Sequence, residues 1–121
     1  MQQDILSYEI IDTIAVISSS DDIDEAVSGQ FQDMTKNLVR DGHRFLIIDL
    51  INVRYMASSS LGLIAVVMDS LAAKNGKICL CSVHEEVKKV LELVKLDGSI
   101  EVYGSREKAL SSFKGAALKP A

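Results

Sequence analysis

Hydrophobic and polar positions change period several times along this chain, and each change marks an element. Ser7 to Ile11 and Ile14 to Ser18 read as two extended runs around a tight Asp12-Thr13 turn. A polar loop, Ser18 to Asp22, follows. Val27, Phe31, Met34 and Leu38 then recur at i, i+4, i+7 and i+11, which predicts a helix with one apolar face. Asp22 or Asp24 is placed to cap that helix, Gly29 weakens its interior, and Asp41-Gly42 ends it. Phe45-Leu46-Ile47-Ile48, closed by Asp49, is an unbroken apolar run and predicts a strand covered on both faces, as in a parallel sheet. Val53 to Met56 reads as a short second extended piece.

A second helix is predicted from Ser59 to Lys74. Leu61, Ala65, Met68 and Ala72 line one face and Ile64, Val67 and Leu71 another, so the helix is deeply buried or offers part of itself to a partner. Asn75-Gly76 stops it, with Gly76 suited to a left-handed cap. Lys77 to Val83 reads as a strand and Glu85 to Lys95 as a helix with Val87, Val90, Leu91 and Val94 inward. Ser99 to Tyr103 reads as a short strand. Ser105 to Phe113 is the last helix, with Ala109, Leu110 and Phe113 inward. The order β-β-α-β-α-β-α-β-α predicts an α/β fold: a mixed, mostly parallel sheet of about five strands with about four helices. Crossover helices join parallel neighbours, and the first hairpin adds one antiparallel strand.

Between the second-helix pattern and the strand before it lie three consecutive serines, Ser58-Ser59-Ser60. Hydroxyls there sit beside backbone N–H groups and the positive end of a helix dipole. One reading is an N-cap, worth about 1 kcal/mol. A cap needs one serine, so three leave at least one hydroxyl free. The other reading is a phosphoacceptor, because a phosphate adds about −1.5 to −2 charges at neutral pH. At a helix N-terminus that charge barely disturbs the fold. On a partner-binding surface it acts strongly, through desolvation and repulsion of nearby acids.

Composition narrows the field. A chain of 121 residues forms one domain with a core of its own. A net charge of −4 and a pI near 5.1 argue against non-specific nucleic-acid binding and against an anionic membrane surface. The longest apolar run, Leu61 to Met68, is too short to span a bilayer, and MQQDILSYEI carries no secretory signal. Cys79 and Cys81 lie two apart in a predicted strand, on one face, and read as buried thiols of a reduced cytoplasm. Asp21, Asp22 and Asp24 lack the glycine-centred loop and closing Glu of a calcium site, so helix capping or a share in a binding surface remains for them. No Gly-x-Ser-x-Gly elbow surrounds Ser58, no glycine-rich phosphate loop is present, and His43 and His84 are the only imidazoles. No metal or cofactor is expected.

The stretch from Phe45 to Leu71 resembles the signature of the STAS domain family, the sulfate-transporter and anti-sigma-factor-antagonist domains. The family pattern is an apolar strand ending in Asp-Leu, an aromatic-apolar pair, then Asp-Ser-Ser-Gly-Leu-Gly opening a helix. The corresponding residues are Asp49-Leu50, Tyr55-Met56 and Ala57-Ser58-Ser59-Ser60-Leu61-Gly62. Ala57 replaces the motif's Asp and Ser60 its first Gly. The resemblance implies the same element order, a STAS domain over residues 1–114 and a C-terminal tail at 115–121. It implies a cytoplasmic regulator of the anti-sigma factor antagonist type that is not an enzyme. Its partner would be a serine-kinase anti-sigma factor or similar switch protein, with a cognate phosphatase and with neither nucleic acid nor membrane as partners. The first motif serine, Ser58, would accept phosphate, with Ser59 and Ser60 as secondary candidates. Asp22, Asp24, Met56, Ala57, Ser58, Ser59, Ser60 and Leu61 would form the partner-binding surface. A non-phosphorylated STAS scaffold is the alternative within the family, and a small serine-dependent hydrolase or nucleotide-binding enzyme the alternative outside it.

Overall fold

The computed structural model describes residues 4–114. The tail expected at 115–121 lies outside them. Strands β1 (Leu6–Ile11) and β2 (Ile14–Ser19) form the hairpin, followed by α1 (Glu25–Arg40), β3 (Phe45–Asp49), α2 (Ser58–Ala72), β4 (Lys77–Cys81), α3 (Glu85–Leu93), β5 (Val102–Tyr103) and α4 (Arg106–Ser112). The predicted order is the observed one. The sheet runs β1-β2-β3-β4-β5, with β1 antiparallel to β2 and every later pair parallel.

That sequential order decides where the helices go. Crossovers between parallel strands are right-handed, so three crossovers stepping in one direction place their helices on one face. Val27, Phe31 and Leu38 of α1, Leu61, Ile64, Val67 and Leu71 of α2, and Val87 and Leu91 of α3 pack there against Ala15, Ile17, Leu46, Ile48, Ile78 and Leu80. The alternate residues of the same strands, Ile14, Val16, Phe45, Ile47, Cys79 and Cys81, face Ala109 and Phe113 at α4. All five residues of β3 are buried, as its unbroken apolar run requires. Both thiols share the α4 face, and burial pushes each from an ordinary 9.0 up to about 12.

Four expectations are corrected. Val53 to Met56 is not a strand; its only ladder contact is a single parallel bridge between Ile23 and Met56. The last strand contracts to Val102–Tyr103, because residues 94–100 turn back on themselves through hydrogen bonds to Val90, Leu91, Glu92 and Leu96. On α2, Ala72 is exposed and Leu63 buried, so the buried arc is rotated toward Leu63 relative to the one the sequence implies. Finally, the left-handed position after α2 belongs to Asn75, at φ 60°. Gly76 is needed for space: a Cβ there would run into the Arg44 carbonyl.

Candidate functional site

The loop before α1 and the loop before α2 emerge at the same end of the sheet and are joined along their backbones. Ile23 N–H donates to the Tyr55 carbonyl at 3.0 Å, and Ala57 N–H donates to the Ile23 carbonyl at 2.8 Å. Asp22 adds a side-chain clamp, its Oδ1 accepting from the N–H groups of Arg54 at 2.8 Å and Tyr55 at 3.1 Å. The capping role open to either aspartate therefore falls to Asp24, whose Oδ1 accepts from Val27 N–H at 3.1 Å. Tyr55 donates its phenolic O–H to Glu25 at 2.6 Å. That bond holds the Glu25 carboxyl below its usual range and the Tyr55 phenol above its own.

The second loop is held from its other side as well. His84, the N-cap residue of α3, places Nε2 2.7 Å from the Ile51 carbonyl. Asp49, buried at the end of β3, accepts from Ile51 N–H at 3.1 Å and from Arg106 Nε at 2.9 Å. Arg106 also pairs with Glu9 on β1, and its bond to Asp49 is the main reason its pKa is raised. The Arg54–Glu86 pair, 3.5 Å apart and well exposed, contributes little.

None of the three serines caps α2. The N-cap residue is Ala57, at φ −60° and ψ 140°, and no side chain bonds the first turn. An Asp at this position, as in the family motif, would be placed to cap. The serines divide by role. Ser60 is fully buried, and its Oγ lies 2.7 Å from the Oγ of Ser28 on α1. Ser59 is exposed, and its Oγ is also 2.7 Å from Ser28 Oγ. Ser58 is exposed, and its hydroxyl has no hydrogen-bond partner among the described residues.

The residues expected on the partner-facing surface thus form one constellation but do not all reach solvent. Met56, Ala57, Ser60 and Leu61 are each at most 1% exposed and support the loop from beneath. Asp24, Ser58 and Ser59 are exposed and Asp22 is half-buried. Ile51, Tyr55, Glu25 and, two turns further along α2, Val66 extend the exposed surface. Sequence reasoning missed Ser28, Gln32 and the Tyr55–Glu25 bond. The available signal for Ser28 was its place beside Val27, at the margin of the apolar stripe of α1.

The His84 ring is engaged by a carbonyl, and no imidazole bonds to a serine among the described residues. No group of three or more His, Cys, Asp or Glu among the described residues could hold a metal ion. No helix among them is long and apolar enough to cross a membrane.

The STAS domain family pattern matches residues 6–109. The chain belongs to the STAS domain family. Its curated relatives include a Thermotoga maritima protein named as an anti-sigma factor antagonist, 23% identical over 108 residues that cover 88% of this chain and 96% of the relative. A Bordetella bronchiseptica protein named as the anti-sigma factor antagonist BtrV is 26% identical over 111 residues, covering 92% and 96%. Among solved structures, the STAS fold is shared with unphosphorylated SpoIIAA, an anti-sigma factor antagonist, at a TM-score of 0.79 and 21% identity, over 91% of this chain and 96% of that one. The phosphorylated form of SpoIIAA, a Bacillus cell fate determinant, aligns at 0.72 and 20%, over 90% and 99%.

Proposed function

We propose that this STAS domain is a partner-switching regulator of the anti-sigma factor antagonist type, controlled by phosphorylation of Ser58. Unmodified, it binds a serine-kinase anti-sigma factor or similar switch protein through Ser58, Ser59, the Asp22–Asp24 loop and the exposed side of α2. The kinase transfers a phosphoryl group to Ser58 and the complex separates; a phosphatase restores the binding form. The observation that carries this reading is the Ser58 hydroxyl. It is exposed and without a hydrogen-bond partner among the described residues, at the start of a helix, beside an acidic loop fastened to its own.

The physics of that position suits a switch. A dianion at the N-terminus of α2 is favoured by the helix dipole, so the fold tolerates it. The same charge beside Asp24 and Glu25, pressed into an interface, meets repulsion and a desolvation cost. Ser58→Asp is therefore expected to leave stability within about 0.5 kcal/mol of wild type, since no side-chain bond is lost. It is expected to weaken partner capture about tenfold or more. Affinity purification of both forms from the native cells, with quantitative mass spectrometry and phosphate localisation, tests this. A kinase-fold partner recovered with wild type and depleted with Ser58→Asp supports the switch. Equal recovery with both forms, and no phosphate on the loop under any growth or stress condition, would overturn it.

A further inference from the structure

A choice between neighbouring serines is built into α1. Ser28 is buried, and its Oγ touches three polar atoms: Ser59 Oγ at 2.7 Å, Ser60 Oγ at 2.7 Å and Gln32 Nε2, which donates at 3.1 Å. A serine hydroxyl has one proton to donate and two lone pairs to accept with. Gln32 occupies one lone pair. Of Ser59 and Ser60, one therefore donates to Ser28 and the other accepts from it. The hub is saturated, and both motif hydroxyls are pinned. Ser60 is out of reach by burial alone. Ser59 faces solvent as Ser58 does, and its bond to Ser28 distinguishes it from Ser58, whose hydroxyl has no partner among the described residues.

Resting on the phosphoacceptor reading, we infer that Ser28 is a specificity-determining residue: by tying Ser59 to the α1–α2 interface it leaves Ser58 as the only acceptor. In the transfer, a serine Oγ attacks the γ-phosphorus of a nucleoside triphosphate held by the kinase. The Oγ–P bond forms as the bond to the β-phosphate oxygen breaks, the hydroxyl proton passes to a base of the kinase, and the nucleoside diphosphate leaves. The attacking oxygen must turn a lone pair to phosphorus and its proton to that base. Ser58 does so by free rotation about χ1. Ser59 must first leave Ser28, and a net hydrogen bond of ordinary strength biases such an equilibrium about tenfold.

The test uses the full chain expressed in its native cells, with phosphate quantified at each serine by peptide mass spectrometry and the melting temperature measured in parallel. Wild type, Ser58→Ala, Ser58→Ala with Ser28→Ala, and Ser58→Ala with Ser28→Thr are compared. Alanine is the best helix former and adds no volume, so Ser28→Ala keeps α1. Should it nevertheless unfold, Ser28→Cys fills the site with a weaker bonding partner and takes its place. The expected result is phosphate on Ser58 in wild type and almost none in Ser58→Ala. The Ser58→Ala/Ser28→Ala protein should carry about tenfold more on Ser59 than Ser58→Ala does. Ser28→Thr, which restores a hydroxyl, should return Ser59 to the Ser58→Ala level. Equal phosphate on Ser59 with and without the Ser28 hydroxyl in folded protein overturns the inference and leaves the Ser58 switch standing. Phosphate on Ser59 in wild type also overturns it. Absence of phosphate from every form, wild type included, removes both the switch and the selection.

Discussion

The two faces of this sheet are closed in different ways. Three helices cover one face over a core that includes Phe31, Leu46, Ile48, Ile64 and Leu71, and that face ends at its upper edge in exposed acids and hydroxyls. The other face is covered by α4 over two thiols and an edge-on ring pair, Phe45 and Phe113, with centroids 5.5 Å apart. Lys77 closes that pair from outside, its Nζ 4.6 Å from the Phe113 ring centroid. The α4 face stabilises by burial, and its main polar link, Arg106 to Asp49, is itself partly sheltered. The edge of the three-helix face uses backbone bonds and hydroxyls to hold a surface in shape while leaving Ser58 without a partner among the described residues. Both faces bury a core, but only the edge of the three-helix face combines a fastened loop pair with an exposed serine hydroxyl.

If that division is real, damage on one face should not spread to the other. The largest effect is expected for Phe113→Ala. Deleting a buried ring costs about 3–5 kcal/mol, read as a lowered urea midpoint. Native-state hydrogen exchange of the Ile23 and Ala57 amides, scaled to the new global stability, should be unchanged. Selective loss of their protection would show that the faces are coupled. A smaller effect is expected for Asp22→Ala, about 1 kcal/mol, because water can reach the freed Arg54 and Tyr55 amides. Those two amides should exchange faster than in wild type while the α4 face is unaffected; unchanged protection would mean that the Asp22 clamp does not hold the loop.

The smallest effect at neutral pH concerns the thiols. Unfolded, Cys79 and Cys81 ionise near 9.0; folded, burial keeps them protonated up to about 12. Between those values the native state retains protons that the unfolded state has lost, so stability is full below pH 9.0 and falls as pH rises toward 12. Alkylation at pH 8 should accordingly be slow in the native protein and fast in denaturant. Fast native labelling would show that the α4 face opens on its own.

Legibility in the sequence differed between fold and site. The helix stripe at Val27, Phe31 and Leu38 and the apolar run of β3 were readable because burial on one or both faces imposes a period on composition. The extent of the last strand was not, since the turn at residues 94–100 rests on backbone hydrogen bonds that carry little side-chain signature. Around the serines, the motif located the loop, but only the structure chose Asp24 over Asp22 as the α1 cap, by reach, and put Ala57 at the N-cap of α2 where one reading had a serine. Met56 and Leu61 were placed on the binding surface because motif membership does not record which way a side chain points.

What the sequence determined by itself was the order of elements, the mixed sheet, the STAS family and the segment that carries the hydroxyls. The order and the sheet follow from local spacing; the family and the hydroxyl segment follow from the resemblance of the motif around Ser58. Only the tertiary structure decided which serine stands free. That answer depends on Ser28, more than thirty residues away along the chain, whose hydroxyl meets Ser59 and Ser60 because α1 and α2 pack side by side on one face. A hydrogen bond between distant residues needs partners that folding alone brings together, and it leaves no periodicity in the chain that makes it.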